Sequence, residues 1–187
     1  MMRFLLLLCG WFALGSFAAE PFRHAPSGFE CPAEVAGFAL SGVHDYEADH
    51  RGLGISCRYI LQNELYADIY IFNNGLASVP ADITHPVVVQ LRDQTLKEIE
   101  KFAQSRGERT RVVDETVLKV ETPRGAVSIL YDALVITAPG GTRNTWLWLW
   151  TARNHFIKIR MTRPAAVTSG TRWMREFYEA VARLAAE

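Results

Sequence analysis

The chain has 187 residues, with 20 basic and 20 acidic side chains. This balance gives no basic bias of the kind that nucleic-acid-binding proteins carry, so we expect no nucleic-acid partner. The length suits one domain with a core of its own, and no apolar run beyond the N-terminal segment approaches the length of a membrane span.

Residues 1–18 have the pattern of a secretory signal peptide. Arg3 supplies the positive start, and the apolar run Phe4–Leu14 is too short to span a membrane. Ser16 and Ala18 place small residues at the two positions that a signal peptidase reads, which predicts cleavage after Ala18. We therefore predict a periplasmic or secreted protein with no transmembrane segment after cleavage.

Two cysteines remain after the predicted cleavage, Cys31 and Cys57. An even pair in an exported chain predicts one disulfide, worth roughly 3 kcal/mol through its effect on the unfolded chain. A metal pair or a redox pair is the alternative, but the CxxC spacing is missing. Residues 19–36 contain three prolines and are predicted to form an extended N-terminal arm, which this bridge would attach to the strand at 55–61.

Residues 37–187 are predicted to form a single α+β domain. Period-two alternation predicts strands at 37–43, 55–61, 65–72, 109–121, 126–137, 145–151 and 155–162, with a loop at 139–144. Apolar residues at spacings of three and four, Phe102 among them, predict a helix over about 84–105 with a Thr84 cap, and a second helix over about 169–186. This order predicts an antiparallel sheet of about six or seven strands with two amphipathic helices packed on it.

The hairpin 145–162 carries the most distinctive pattern in the chain. Trp146, Trp148 and Trp150 alternate with leucines, and Lys158 and Arg160 alternate with isoleucines after a break at 152–154. Alternate residues of a strand lie on the same face, so the three tryptophans share one face. The length of the turn decides which residues of the second strand lie on that same face.

Two kinds of turn fit this hairpin, and they give opposite arrangements. A two-residue or four-residue turn pairs Trp150 with Ile157, so that the tryptophans share a face with aliphatic residues. A three-residue turn ending at Asn154, which tolerates left-handed backbone, pairs Trp148 with Lys158. We favour the three-residue turn, because the alternative places the two cations opposite leucines.

The favoured register predicts an aromatic-basic sheet face that binds an unknown envelope protein or an amphiphilic small molecule. The strand at 65–72 divides in the same way, into an aliphatic face and an aromatic-polar face. The candidate ligand-binding residues are Trp146, Trp148, Trp150, Lys158, Arg160, Tyr70 and Asp68. In the alternative interpretation, the arm or the C-terminal helix covers this face and the tryptophans belong to the core.

The segment His44–His50 is the densest cluster of potential metal ligands. His44, Asp45, Asp49 and His50 offer the imidazole and carboxylate groups that divalent metals bind, but no HExxH spacing is present. A solvated connection between strands is the alternative. The chain contains no GxSxG, GxGxxG or P-loop motif, so we assign no catalytic residue, cofactor or reaction.

One family resemblance can be stated from these patterns. The order of elements, the residues Gly54, Ser56 and Tyr59 of the second strand, and the tryptophan strand followed by Phe156–Arg160 resemble the PsbP-like fold. That fold is known from extrinsic photosystem subunits and small bacterial envelope proteins. The resemblance implies an exported binding or assembly-factor module rather than an enzyme. A small exported metal-binding protein or enzyme using the His44–His50 loop is the alternative.

Overall fold

The computed structural model describes residues 19–61, 65–165 and 171–187, so the predicted signal peptide at 1–18 lies outside the described residues. The elements are β1 (Phe22–His24), β2 (Phe29–Cys31), β3 (Glu34–Val35), β4 (Phe38–Asp45), β5 (Ile55–Leu61), β6 (Leu65–Phe72), α1 (Pro86–Ser105), β7 (Arg109–Thr122), β8 (Gly125–Ala138), β9 (Gly141–Ala152), β10 (His155–Pro164) and α2 (Arg172–Ala186).

The strands β3 to β10 form one antiparallel sheet in the order β3-β4-β5-β6-β10-β9-β8-β7, and β1 pairs with β2 in a separate hairpin. The predicted α+β class, with a large antiparallel sheet and two helices, is confirmed. The short strand β3 belongs to the segment predicted as an extended arm and adds an eighth strand to the sheet. The remainder of that arm folds into the β1–β2 hairpin.

The predicted disulfide is present. Cys31 at the end of β2 is bonded to Cys57 in the middle of β5, with a Cα–Cα distance of 6.4 Å and a sequence separation of 26. Both residues are fully buried. The bridge therefore attaches the N-terminal hairpin to an interior strand of the large sheet.

Three local predictions are wrong. The loop predicted at 139–144 is a tight turn, because β9 already resumes pairing at Gly141 opposite Ala138. The cap of α1 is His85, whose Nδ1 accepts a hydrogen bond from the Val87 backbone N–H, whereas the Thr84 hydroxyl donates to Asp82 instead. Phe102, placed on the apolar stripe of α1, is 55% exposed.

The favoured register of the β9–β10 hairpin is also wrong. A two-residue turn pairs Trp150 with Ile157, so the tryptophans share a face with the isoleucines. Both turn residues have left-handed backbone, with φ of 49° at Arg153 and 61° at Asn154, and this geometry matches the natural twist of a hairpin. Hydrogen bonds from the Arg153 guanidinium to the carbonyls of Gly28 (2.8 Å) and Leu184 (3.3 Å) hold a residue that rarely adopts this conformation.

The tryptophan face is the main core of the molecule, and α2 covers it. Trp148 and Trp150 are fully buried and Trp146 nearly so. The rings of Trp148 and Tyr178 stack with centroids 5.6 Å apart, and the ring centroids of Phe177 in α2 and Phe38 in β4 lie 4.5 Å apart. The interpretation in which the C-terminal helix covers the tryptophans is therefore the correct one.

The last residue of β1, His24, is a buried histidine. The Nδ1 of His24 shares a hydrogen bond of 2.7 Å with the Ser27 hydroxyl, and its Nε2 is buried without a partner among the described residues. The His155 ring lies 6.0 Å away, edge to face. Burial, and then the proximity of His155, lower the pKa of His24, while the charges of Asp45 and Glu47 raise it by smaller amounts.

Helix α1 covers only part of the opposite sheet face. Val88 packs with Leu149 and Phe156, and Ile99 packs with Leu134 near the other end of the helix. Arg92 pairs with the fully buried Asp132 of β8, through an Nε to Oδ2 hydrogen bond of 2.9 Å, and also with Glu115 of β7 at 2.8 Å. These contacts place α1 over the half of the sheet formed by β7 to β10.

No helix within the described segments has the length and apolar character needed to cross a membrane.

Candidate functional site

The half of the sheet that α1 leaves uncovered presents polar and aromatic side chains. We call this surface, on β4, β5, β6 and β10, the open sheet face, and its residues are His44, Ser56, Arg58, Tyr66, Asp68 and Arg160. Strand pairing sets Arg58 beside Asp68 and Asp68 beside Arg160, so the charged residues form a row across three strands. A shallow depression of about 400 Å³ lies over the β4–β6 part of this face.

The charges on the open sheet face do not cancel. Arg58 Nε donates to Asp68 Oδ1 at 2.7 Å, and this contact raises the pKa of Arg58. Within the described part of the chain, Arg160 forms no ion pair. The row therefore carries a net positive charge at its β10 end.

A cleft opens where the open sheet face meets the edge of α1. We call it the α1 cleft. Its volume is about 270 Å³, close to the lower end of the range of roughly 300–1,000 Å³ that ligand pockets occupy. The lining residues come from the 46–54 loop, β6, the turn after β6, α1 and β10: Tyr46, Leu53, Tyr70, Phe72, Asn74, Leu91, Gln94, Thr95, Glu98 and Lys158. Apolar rings and chains and a few polar groups thus converge on one concave surface.

Lys158 is the cation of the α1 cleft. Its ammonium nitrogen lies 4.6 Å from the centroid of the Tyr70 ring and 5.4 Å from that of Phe72, both within cation–π distance. Burial lowers the pKa of Lys158, with a smaller opposing effect from Glu98. Burial also raises the pKa of the Tyr70 phenol to about 12. Both groups are therefore held partly out of water.

The 46–54 loop contributes Tyr46 and Leu53 to the cleft. The Glu47 carboxylate accepts hydrogen bonds from the backbone N–H groups of Gly52 and Gly54, at 2.9 Å and 3.0 Å, and these bonds lower its pKa. Gly54 has φ of +59°, and a Cβ there would lie 1.9 Å from the Ile71 carbonyl oxygen, so only glycine allows the loop to approach β6 this closely. The fold of the loop places Tyr46 and Leu53 at the mouth of the cleft.

The structure does not assemble the predicted metal ligands. Asp49 and His50 are exposed on the loop, and the His44 ring packs against Tyr46 with centroids 4.2 Å apart. Asp45 accepts a hydrogen bond from the Glu47 backbone at 2.8 Å. Over residues 19–61, 65–165 and 171–187, no group of three or more His, Cys, Asp or Glu side chains has a geometry that could hold a metal ion.

The predicted ligand-binding residues are divided between the two sheet faces. Lys158, Arg160, Tyr70 and Asp68 lie together, with Lys158 directly beside Tyr70 and Arg160 directly beside Asp68. The three tryptophans lie on the opposite face beneath α2, so the single aromatic-basic face predicted from the sequence does not exist.

Sequence reasoning missed the cleft residues from the loop and the helix. Leu53, Leu91 and Glu98 carry no motif, and their meeting depends on where α1 lies on the sheet. Phe72 and Tyr46 offered a signal, because Phe72 is the last residue of a predicted strand and Tyr46 follows another predicted strand by three residues.

Among solved structures, the fold is similar to the solution structure of cyanobacterial PsbP (CyanoP) from Synechocystis sp. PCC 6803. The TM-score is 0.55, and the alignment covers 94% of this chain and 96% of that chain. The fold is PsbP-like. At 12% sequence identity the likeness concerns the fold alone. No protein-family model matches the chain, and no curated protein matches its sequence significantly.

The expectation of a PsbP-like fold is therefore confirmed. The α1 cleft and the open sheet face are contiguous, because Tyr46 borders both and strand β10 contributes Lys158 to one and Arg160 to the other.

Proposed function

We propose that the protein is an exported, non-enzymatic binding or assembly-factor module that acts in the periplasm or outside the cell. Its binding surface is the open sheet face together with the α1 cleft. The observation that carries this proposal is that α1 covers one sheet face only in part. Aromatic rings remain around a concave surface, together with two cations, Lys158 and Arg160, that form no ion pair within the described part of the chain.

Two features support export. Residues 1–18 have the charge and hydropathy pattern of a secretory signal peptide. The Cys31–Cys57 bridge is of a kind that persists in oxidising compartments and is rare in the cytosol. An envelope location also agrees with the resemblance to PsbP-like proteins.

The chemistry of the surface supports binding. Tyrosine and phenylalanine supply large contact areas with little loss of conformational entropy, and Tyr66 remains 46% exposed beside the charged row. Aromatic residues and arginine, which this surface carries, are enriched in protein interfaces. The PsbP-like fold is consistent with such a role.

Site-specific photo-crosslinking in living cells tests the proposal. A benzophenone side chain in place of Tyr66, on the open sheet face, should give a discrete covalent adduct in the envelope fraction. The same side chain in place of Phe102, which is also exposed but lies on the outer side of α1, is the matched control and should give none.

Equal adducts from both positions, or none from either, would contradict the proposal. Thermal melts of both variants check that the substitutions leave the fold intact, as expected for two exposed positions.

A further inference from the structure

The Lys158 ammonium is desolvated without being neutralised. It is half-buried on β10 and rests against two aromatic rings, whose attraction replaces only part of the lost hydration. Within the described part of the chain it forms no ion pair. A cation in this state gains more from an incoming anion than a fully hydrated surface lysine does.

Among the described residues, one carboxylate lines the cleft, and it accepts a hydrogen bond from another side chain. Glu98 Oε1 accepts a hydrogen bond of 3.0 Å from Gln94 one helical turn earlier. Its influence on Lys158 is through space, in the direction that raises the pKa of the lysine. Among the described residues, no anion contacts the Lys158 ammonium. The Glu98 carboxylate weakens the attraction of Lys158 for a second anion without pairing with it.

The remaining walls of the cleft combine apolar side chains with the polar side chains of Asn74, Gln94 and Thr95. Leu53 of the loop, 44% exposed, and Leu91 of α1 line the cleft together with the aromatic rings of Tyr70 and Phe72. A ligand that occupies the cleft would bury an apolar body between these groups while its polar end remained at Lys158. The volume of about 270 Å³ limits that body to a short chain or a single ring.

We propose that the α1 cleft binds a carboxylate attached to an apolar chain or ring, with the carboxylate paired to the Lys158 ammonium and the apolar body against Leu53 and Leu91. This inference rests on the proposed binding function and names the ligand class of the same site. Such a carboxylate could belong to a free short-chain or aromatic acid, or to the C-terminus of a peptide that ends in an apolar residue.

Three probes with the same eight-carbon chain test the charge requirement on the wild-type protein. Octanoate, octanol and octylamine differ at the head group alone, and calorimetric or NMR titration gives the affinity of each. We expect octanoate to bind at least about tenfold more tightly than octanol, as a charge-assisted hydrogen bond predicts, and octylamine to bind most weakly. Equal affinity for octanoate and octanol would overturn the inference.

Substitutions test whether Lys158 is the residue responsible for the preference for octanoate. Lys158→Met should abolish the preference for octanoate, and Lys158→Arg should retain most of it. Lys97→Met is the matched control, because Lys97 is an exposed lysine on the outer side of α1, and it should bind as the wild type does. Glu98→Gln should tighten octanoate binding by removing the rim charge. A Lys158→Met protein that keeps its fold and its preference for octanoate would overturn the assignment.

A peptide with a blocked N-terminus, a C-terminal leucine and a free carboxylate, titrated beside its C-terminal amide, distinguishes the two sources. Tighter binding of the peptide acid than of octanoate identifies a protein terminus, and the reverse identifies a free acid. The crosslinking experiment at Tyr66 is independent of these titrations. An adduct at Tyr66 without any preference for octanoate would overturn the ligand class and leave the binding function standing.

Discussion

The two faces of the large sheet are built from the same strands but are completed in different ways. On one face, apolar residues of β4 to β10 are buried continuously beneath α2, with Trp148 at their centre. On the other face, α1 buries leucines of β8 and β9 and leaves the residues of β4 to β6 in contact with solvent. One face is thus a core throughout, and the other is a core over half its width and a surface over the rest.

This difference shows that the packing of a helix on the sheet, and not the identity of the strands, decides which part of a face is core and which part is surface. Strand β10 illustrates the point, because Ile159 is fully buried while its neighbours Lys158 and Arg160 lie at the border of the α1 cover. Within the described part of the chain neither cation forms an ion pair, and both lie where a ligand can reach them. Three sets of variants test this division, from the largest expected effect to the smallest.

Trp148→Ala should remove the centre of the covered face. Truncation of a fully buried aromatic side chain costs about 3–5 kcal/mol, and here it also removes the stacking on Tyr178. The free energy of unfolding from urea denaturation measures the loss. Trp148→Phe should cost much less, because it keeps a ring and removes an indole N–H that is buried without a partner among the described residues. Equal losses for the two variants would contradict this account.

His24 should make the covered face sensitive to acid. Burial lowers the pKa of His24 in the folded state below the ordinary histidine value of 6.5, so the unfolded chain binds the proton more readily. The neutral imidazole therefore contributes stability that is present above pH 6.5 and is lost as the pH falls through the lowered value.

Thermal melts across this pH range measure the effect. His24→Gln should show a weaker loss of stability on acidification, while His50→Gln, at an exposed loop position, should behave as the wild type does. Parallel pH profiles for the wild type and His24→Gln would show that another group is responsible.

Tyr66→Ala and Arg160→Ala should barely change stability. Both side chains lie on the open sheet face, where substitutions usually alter the free energy of unfolding by less than about 0.5 kcal/mol. Urea denaturation should give values close to that of the wild type. A loss comparable to that of Trp148→Ala would mean that this face is part of the core, and the contrast between the two faces would fail.

The sequence was sufficient to predict the helices and strands and, for most strands, which residues share a face. The alternation in β5 and β6 correctly separated buried residues such as Ile69 from polar ones such as Asp68, because period two follows from strand geometry. The helix α2 stripe of Met174, Phe177 and Val181 was correct for the same kind of reason. These are local rules, and local patterns are enough to apply them.

The prediction of the hairpin register was wrong because the register depends on segments that are distant in sequence. We expected cations and leucines to avoid adjacent positions on one face. Lys158 and Leu149 are directly paired, but α1 buries Leu149, whereas Lys158 lines the cleft at the edge of the helix. We also expected Asn154 alone to adopt left-handed backbone. Arg153 does so as well, with support from carbonyls at residues 28 and 184, which no local pattern reveals.

The candidate site was predicted in part for a similar reason. The pairing of Lys158 with Tyr70 and of Arg160 with Asp68 follows from strand alternation once β6 and β10 are neighbours. The contribution of Leu91 and Glu98 depends on the angle at which α1 crosses the sheet, and that of Leu53 depends on the loop held by Glu47. Neither is encoded in a short motif.

The two-residue turn at Arg153 and Asn154 has a consequence for how the chain can be rewired. Arg153 bonds to Gly28 near the N-terminal end of the described chain and to Leu184 near its C-terminal end, while the Asn154 side chain accepts from Val79 at 2.6 Å and donates to Ala77 at 3.1 Å. Hairpin tips are usually the places that tolerate insertions and new chain termini. This tip is instead a junction of three segments that are far apart in sequence. Circular permutation or domain insertion there would disconnect the N-terminal hairpin, the C-terminal helix and the segment before α1 at once.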